Sequence, residues 1–576
     1  MHTSNLTWLI SAIYASSRLA ERHILWNNLK TVAQLHNLPW LMLGDFNKVL
    51  CGEDKFGGNQ VNLNRALEFK ECLDDCNMID LGFTGPKYTW ANRRPITSLI
   101  LERIDRCFAN SGWRLLYSEA IVTHLPRTFL DHCPVLLELS KSSNNNFNKP
   151  FRFQTMWLLH PDFYRVVQQA WVENRALQRA MTGFVDRVKK WNVEVFGNIF
   201  AKKRRVLARL NGVQKAIAEN PNDFLLNLEN QLLSEYSLIL MQEEEFWALK
   251  SRLNAASFGD QNTSFFHIST VVRRHRNKIR CIKDAVGNWL TDDTEVKEHI
   301  RNGFMNLYTT DLSWSTKSSV VSNFSCCFFS DEIRDRIGSE VTMEEIRASL
   351  WALKPVKAPG PDGLHAGFYQ HFWMEVKNSV CEEIKEVFKY GVVPSYLNET
   401  LLALLPKCQN PESLNNYRPI SLCNSIYKVI SKIIVARIRP HLSSLISPMQ
   451  VAFVPGHRGT DNVCIAQELL HTLDNKKKGR VGYMAIKLDL EKAYDRLEWN
   501  FVHRVLEAFH FPPKLTKIIM SCITTTSISI LVNGSALQPF EPSRGIRQGD
   551  PLSPYIFVLC MKYLGHLIEQ KCVDGS

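Results

Sequence analysis

No stretch of the 576-residue chain approaches the roughly 18–20 consecutive apolar residues that span a bilayer. The longest apolar runs, such as TLLALLP, are strand-length, which excludes a helical membrane protein. The N-terminus lacks the basic stretch and small-residue cleavage site of a secretory leader, and WLISAIY is soon followed by charge, so secretion is not expected. Paired C-x-x-C spacing is missing among the 15 cysteines, so a zinc ribbon is not expected. Cys72 and Cys76 share one helical pattern, Cys326 and Cys327 are adjacent, and all read as reduced thiols. Internal repeats are also lacking. With 45% hydrophobic and 22% charged residues, the chain has neither disordered nor fibrous composition, and its length implies two to four domains. The formal net charge of +12 suits a polyanionic partner, although many soluble proteins share such an excess.

Three textures follow one another. Residues 1–140 alternate short apolar runs with turn residues: WLISAIY, LPWLMLGDFN, PKYTWANR and HCPVLLELS read as strands, and RALEFKECLDDCNMID carries helical spacing. The polar SKSSNNNFNKP reads as a connection. Residues 141–330 are helical in period and basic, with VVRRHRNKIR either a solvated face or a track along a phosphate backbone. Residues 331–576 mix amphipathic helices with short strands. There VGYMAIKLDL predicts a strand leading into the helix EKAYDRLEWNFVHRVLEAF, and TTTSISILVNGSALQPF predicts a hairpin turning at Asn533-Gly534.

In the first stretch, LPWLMLGDFN ends an apolar strand at Gly44 and presents Asp45 and Asn47. Residues two apart on an extended segment face the same way. A carboxylate there can hold a hard cation or activate water, while an Asx turn explains the same letters. Asp105 in ERIDR and the pair Asp131-His132 add an acid–base couple suited to a phosphodiester. The ordered set Tyr14, GDFN, RIDR and DHCP resembles the endonuclease/exonuclease/phosphatase family, and within it the apurinic-type endonuclease of non-LTR retrotransposons. The resemblance implies an αββα sandwich and magnesium-dependent (or manganese-dependent) phosphodiester cleavage. It assigns Tyr14 to the phosphate and Asp45 and Asn47 to the nucleophile. Asp105 would orient His132, Asp45 and Asp131 would hold the metal, and Trp90 would abut the site. Leu130 stands where that family usually has a serine. The family's early Asn and metal-binding Glu lie upstream of its tyrosine segment, and Tyr14 is near Met1. The expectation is therefore a partial sandwich with unpaired edges, an incomplete cation site and no efficient cleavage.

In the third stretch, Asp489 in KLDLEKAYDRLEW stands at a strand-to-helix junction, where its carboxylate and the Leu490 carbonyl can offer oxygen ligands. A helix N-cap, with Asp495 as a surface charge, is the plainer reading of those residues. In SRGIRQGDPLSPYIF, Gly545 and Gly549 permit close backbone approach and Pro551 is expected to open a helix. Together with LKPVKAPGPDGLHAGFYQ, LLPKCQN, NYRPISLCNSIYKVISKIIVARI and SPMQVAFVPGHRGTDNV, this order resembles the reverse transcriptase of plant LINE-type non-LTR retrotransposons. FRFQTMWLLHPDF and FGDQNTSFFH fit the second open reading frame of such elements.

That resemblance implies fingers and part of the palm of a right-hand polymerase, with catalysis resting on two magnesium ions. Asp489 would be the first palm carboxylate, with Leu490 as a second metal ligand. Lys407 and Arg418 would grip the triphosphate and Tyr494 would exclude a ribose 2′-OH. Gln548 and Gly549 would pack against template and nucleotide. The implied partners are an RNA template, a DNA primer, target DNA and deoxynucleoside triphosphates. The implied process is target-primed reverse transcription in the nucleus, with no membrane. The family's paired aspartates are not found after RQGDPLSP. The chain is therefore expected to be α/β and multidomain but catalytically incomplete, the alternative being a non-catalytic nucleic-acid-binding remnant.

Overall fold

The computed structural model describes residues 7–125, 127, 131–139, 150–173, 176–251, 263–310, 328–408, 410–475 and 484–573. Leu130, Cys326, Cys327, nearly all of SKSSNNNFNKP and the first half of FGDQNTSFFH lie outside the described residues. The chain divides into two compact units. One comprises Met1–Phe147, Leu253–Asp292 and Pro406–Asn416, and the other Asn148–Arg252, Asp293–Leu405 and Tyr417–Ser576.

The first unit is built on strands β1 (Leu9–Tyr14), β2 (Trp40–Asp45), β3 (Met78–Asp80), β4 (Trp90–Ala91), β5 (Asp105–Asn110), β6 (Ile121–His124) and β7 (Val135–Glu138). Its main sheet has the order β1-β2-β5-β3, with β1 parallel to β2 and the other pairs antiparallel. Helix α1 (Leu19–Leu35) makes the crossover between β1 and β2. The run WLML is apolar without interruption because both faces of β2 are covered. Trp40 and Met42 pack with Trp26, Leu29, Phe69 and Phe108 beneath α1 and α2 (Leu63–Asp75), whereas Leu41 packs with Cys107, Trp113 and Val122. β6 and β7 pair as a hairpin on that second side. Cys72 in α2 and Cys76 at its C-terminal cap are free, buried thiols.

The arginines of ERIDR are structural. Arg103 and Arg106 are buried and ion-pair with Asp80 at 3.0 and 2.7 Å, and Arg106 also pairs with Asp54. Burial pushes the Asp80 carboxyl up, but the two guanidinium groups outweigh it and leave its pKa lowered. Helix α3 (Thr263–Arg276), which carries much of VVRRHRNKIR, belongs to this unit as well; Lys278 donates to Glu119 at 2.9 Å.

The second unit includes helices at 163–251 and α4 (Asp293–Leu307). Residues 141–330 are thus divided between the two units. The physical reason lies in the aromatics of FRFQTMWLLHPDF: Phe153, Trp157 and Phe163 share one core with Phe184, Trp191, Phe368, Phe372 and Trp373. Its sheet runs β9-β8-β10-β11, from β8 (Glu399–Pro406), β9 (Tyr417–Cys423), β10 (Ser527–Val532) and β11 (Ser535–Ala536). The predicted hairpin is present: Val532 opposes Ser535, and Asn533 and Gly534 have φ of 52° and 90°. Two left-handed residues in a two-residue loop match the right-handed twist of the strands.

Two expectations fail. Residues 484–490 form no strand; Met484, Ile486 and Leu488 are exposed in irregular backbone. Residues 491–496 form turns and the helix begins only at Trp499, as α5 (Trp499–Ala508). An alternating apolar segment becomes a strand only when a partner takes up its main-chain donors and acceptors. Nor does Pro551 open a helix. The last helix, α6, spans Ser553–Val573, because the Asp550 carboxylate accepts from Leu552 N at 3.1 Å and delays helix entry.

Candidate functional site

Strand register assembles the first cluster. Tyr14 lies opposite Asp45 across β1–β2, and Asp45 lies opposite Asp105 across β2–β5. Residues directly opposed share a sheet face. His132 is delivered by a second pairing, in which Ala91 N donates to Asp131 O at 3.1 Å and Cys133 N donates to Thr89 O at 2.6 Å. Thr89 Oγ1 in turn accepts the N–H groups of Ile104 and Asp105, both at 3.0 Å. The result is a 2.9 Å hydrogen bond between His132 Nδ1 and Asp105 Oδ2.

Asp45, Asp105 and His132 each offer a ligand atom, all within 4.8 Å of one another. Two carboxylates and an imidazole suit a divalent cation. Asp45 is 9% exposed, and burial pushes its carboxyl pKa up despite the N–H of Asn47, which donates to Asp45 Oδ1 at 2.8 Å. Asn47 has φ of 48°, and its amide donates to Ala15 O at 3.1 Å, tying the end of β2 to that of β1. Asp131 stands outside the three-donor group. Its carboxylate accepts from Trp90 Nε1 at 3.0 Å, which lowers its pKa. Tyr14 is 86% exposed on the edge strand.

The second cluster forms around residues 543–550. Arg547 is buried and donates to Asn398 Oδ1 at 2.8 Å, Thr400 Oγ1 at 3.0 Å and Cys522 O at 2.9 Å. Its guanidinium lies 4.0 Å over the Tyr427 ring, and Tyr427 donates to Asp550 Oδ2 at 2.6 Å. With both ends of the loop anchored in the core, Gln548 and Gly549 are held against β9. Ser421 N donates to Gln548 O at 2.7 Å, and a Cβ on Gly549 (φ 105°) would stand 3.0 Å from Ser421 O. Tyr494 is half-buried and stacks on Phe557 at 4.9 Å, and its main-chain carbonyl accepts from Ile546 N at 2.8 Å; burial raises its phenol pKa. Arg418 is exposed on β9. Lys407 belongs to the first unit, where Nζ donates to Asn415 O at 2.9 Å. Asp489 and Leu490 are exposed on the irregular segment, so the expected strand-end carboxylate is not formed there.

Residues 405–575 match the reverse transcriptase (RNA-dependent DNA polymerase) family. This stretch is a reverse transcriptase domain. The "Transposon TX1 uncharacterized 149 kDa protein" of Xenopus laevis is 24% identical over 599 residues, 99% of this chain and 44% of that protein. The Pol polyprotein from the type-2 retrotransposable element R2DM of Drosophila melanogaster is 27% identical over 298 residues, 51% of this chain and 26% of its own. The RNA-directed DNA polymerase from mobile element jockey of Drosophila funebris is 24% identical over 337 residues, 56% and 34% respectively. The chain therefore spans less than half the length of each of these relatives. No helix among the described residues is long and apolar enough to cross a membrane.

Lys407, Arg418, Asp489, Leu490, Tyr494, Gln548 and Gly549 all fall inside the reverse transcriptase domain. The Asp45 cluster precedes it, and the Xenopus alignment, covering nearly the whole chain, reaches it. Sequence reasoning missed the residues that hold the domain's loop: Arg547, Asp550, Tyr427, Asn398, and Asp495, which is buried rather than a surface charge. The available signal was an arginine and an aspartate three apart, on either side of Gln548-Gly549.

Proposed function

We propose that the chain is part of a plant LINE-type non-LTR retrotransposon polyprotein, acting in the nucleus, whose reverse transcriptase domain copies RNA from a DNA primer. The observation that carries this is the family match over residues 405–575, which contains the Gln548–Gly549 loop seated on β9. Divalent cations, magnesium or manganese, would supply charge neutralisation at the reacting phosphates when bound. Asp489 and the Leu490 carbonyl are the proposed palm ligands. Lys407 and Arg418 would neutralise the triphosphate, and Tyr494 would exclude a 2′-hydroxyl. Gln548 and Gly549 would pack against nucleotide and template. In the first unit we assign an apurinic-type phosphodiesterase of the endonuclease/exonuclease/phosphatase kind. Tyr14 would contact the phosphate, Asp45 and Asn47 would orient the nucleophile, and Asp105 would hold His132. Asp45 would serve the metal together with Asp105 and His132, while Asp131, which the resemblance adds, stands outside that group.

A second reading applies to these 576 residues taken alone: nucleic-acid binding without turnover. Asp489 stands exposed outside the sheet, and the one group of three potential ligands among the described residues is in the first unit. RNA-templated primer extension with magnesium tests both readings. The 576-residue chain should retain template–primer in a salt-dependent manner and not extend it. A longer polyprotein carrying these residues should extend, and Asp489→Asn should abolish the signal. Extension that survives Asp489→Asn contradicts the palm assignment, and salt-independent retention contradicts a phosphate contact.

A further inference from the structure

Helix α4 and Tyr308 precede the residues that match the reverse transcriptase family, and no motif recognised in the sequence contains them. They are nevertheless built into the loop that carries Gln548. The N–H groups of Ser543 and Arg544 both donate to Tyr308 O, at 2.9 and 3.1 Å, and Arg544 Nε donates to Leu307 O at 3.0 Å. Thr310 N donates to Ser543 Oγ at 2.8 Å. The Tyr308 hydroxyl donates to Asp495 Oδ1 at 2.8 Å. Gln548 Nε2 donates to both oxygens of the same carboxylate, at 3.3 and 3.2 Å. The packing leaves no slack, since a Cβ on Gly545 would stand 2.6 Å from Asp495 O and 3.0 Å from Tyr308 Cδ1.

We propose that Tyr308 is a positioning residue of the nucleotide site, acting through the Asp495 carboxylate to fix the Gln548 amide. The proposal rests on the polymerase reading of residues 405–575. Asp495 is only 2% exposed, and a carboxylate so buried requires donors. Tyr308 supplies one to Oδ1 and so fixes the plane of the carboxylate. Gln548 can then face Asp495 only with its NH2 group, because a flipped amide would set Oε1 against two carboxylate oxygens. Oε1 is left for a ligand, on a loop whose ends Arg547 and Asp550 already hold. Burial and the Asp495 charge push the Tyr308 phenol pKa well up, so the hydroxyl stays a donor at neutral pH. The working site thus includes a residue well upstream of residue 405.

The test is Tyr308→Phe in the full 576-residue chain. Affinity for a template-matched deoxynucleoside triphosphate is measured on an RNA–DNA template–primer with magnesium. We expect nucleotide affinity to fall about tenfold, the size associated with one hydrogen bond to a charged group, with template–primer affinity unchanged. Asp495→Asn should weaken nucleotide binding similarly, and the double variant should be no weaker than either single one. Amide exchange at Gly545–Gly549 should quicken in Tyr308→Phe. Wild-type nucleotide affinity in Tyr308→Phe overturns the proposal, as does an equal loss of nucleotide and template–primer binding. If the wild-type chain binds no triphosphate, the polymerase reading has failed, and the exchange arm still decides the coupling: faster exchange supports it and unchanged exchange overturns it.

Discussion

Two aspartates end similar apolar segments, and the molecule treats them differently. Asp45 follows WLMLG on a strand paired on both sides, which sets it opposite Asp105 and within reach of His132. Asp489 follows MAIKL on a segment without strand pairing, where Met484 is 83% and Leu488 72% exposed. The letters are alike; the pairing is not. A carboxylate becomes part of a site when neighbouring strands fix its register, because register decides which side chains share a face. The reverse transcriptase domain shows both conditions at once, with residues 543–550 anchored by buried polar groups and residues 484–490 anchored by none in the sheet.

The sharpest way to break this contrast is to remove an anchor. Arg547→Ala should destabilise the second unit by about 3–5 kcal/mol, the usual consequence of stripping one partner from a buried charged network. Arg418→Ala, on an exposed side chain of β9, should change it by less than about 0.5 kcal/mol. Denaturant unfolding of the two variants measures the difference, and equal effects would mean that the loop is not held as described.

Acid should also separate the units. His124 in the first unit is buried against Phe83, and burial pushes its pKa down to about 4. Its neutral form is the folded form, so its contribution is fully present above the unfolded value of 6.5 and is lost as pH falls toward 4. The loss amounts to about 3 kcal/mol at most. The second unit holds His365, also pushed down to about 4 by burial, and Asp362, pushed up to about 7 by burial. A raised carboxyl acts with the opposite sign, giving stability at low pH that fades as pH rises from 3.8 toward 7. The two largely cancel, so the first unit should lose more stability between pH 6.5 and 4. Urea unfolding across that range checks this, and a steeper loss in the second unit would contradict it.

The smallest effect is expected where pairing is lacking. Leu488→Ala should cost less than about 0.5 kcal/mol, whereas Met42→Ala in β2 should cost about 2–5 kcal/mol. Thermal unfolding that gave Leu488→Ala a core-sized penalty would show that this segment is packed after all.

Much of this was legible in the residues because the signals are local. The alternation in WLISAIY, the helical spacing of α2 and the Asn533-Gly534 turn each specify their element without help from afar. The approach of His132 to Asp105 was suggested by family resemblance, and its physical cause, the pairing of residues 131–133 with 89–91, is long-range. Long-range packing explains the failures too. The aromatics of FRFQTMWLLHPDF show their role only in a shared core, and Asp495 reads as surface charge until Tyr308 and Gln548 enclose it. KLDL reads as a strand because alternation signals what a segment can do, whereas pairing determines what it does.

Titrating the 576-residue chain with manganese and mapping the tightest site by paramagnetic broadening tests the contrast directly. We expect the site at Asp45, Asp105 and His132, weakened at least tenfold by Asp45→Asn or Asp105→Asn, as loss of a ligand or of its orienting partner does, and untouched by Asp489→Asn. Loss of the tightest site in Asp489→Asn, with Asp45→Asn binding as wild type, would show the opposite arrangement.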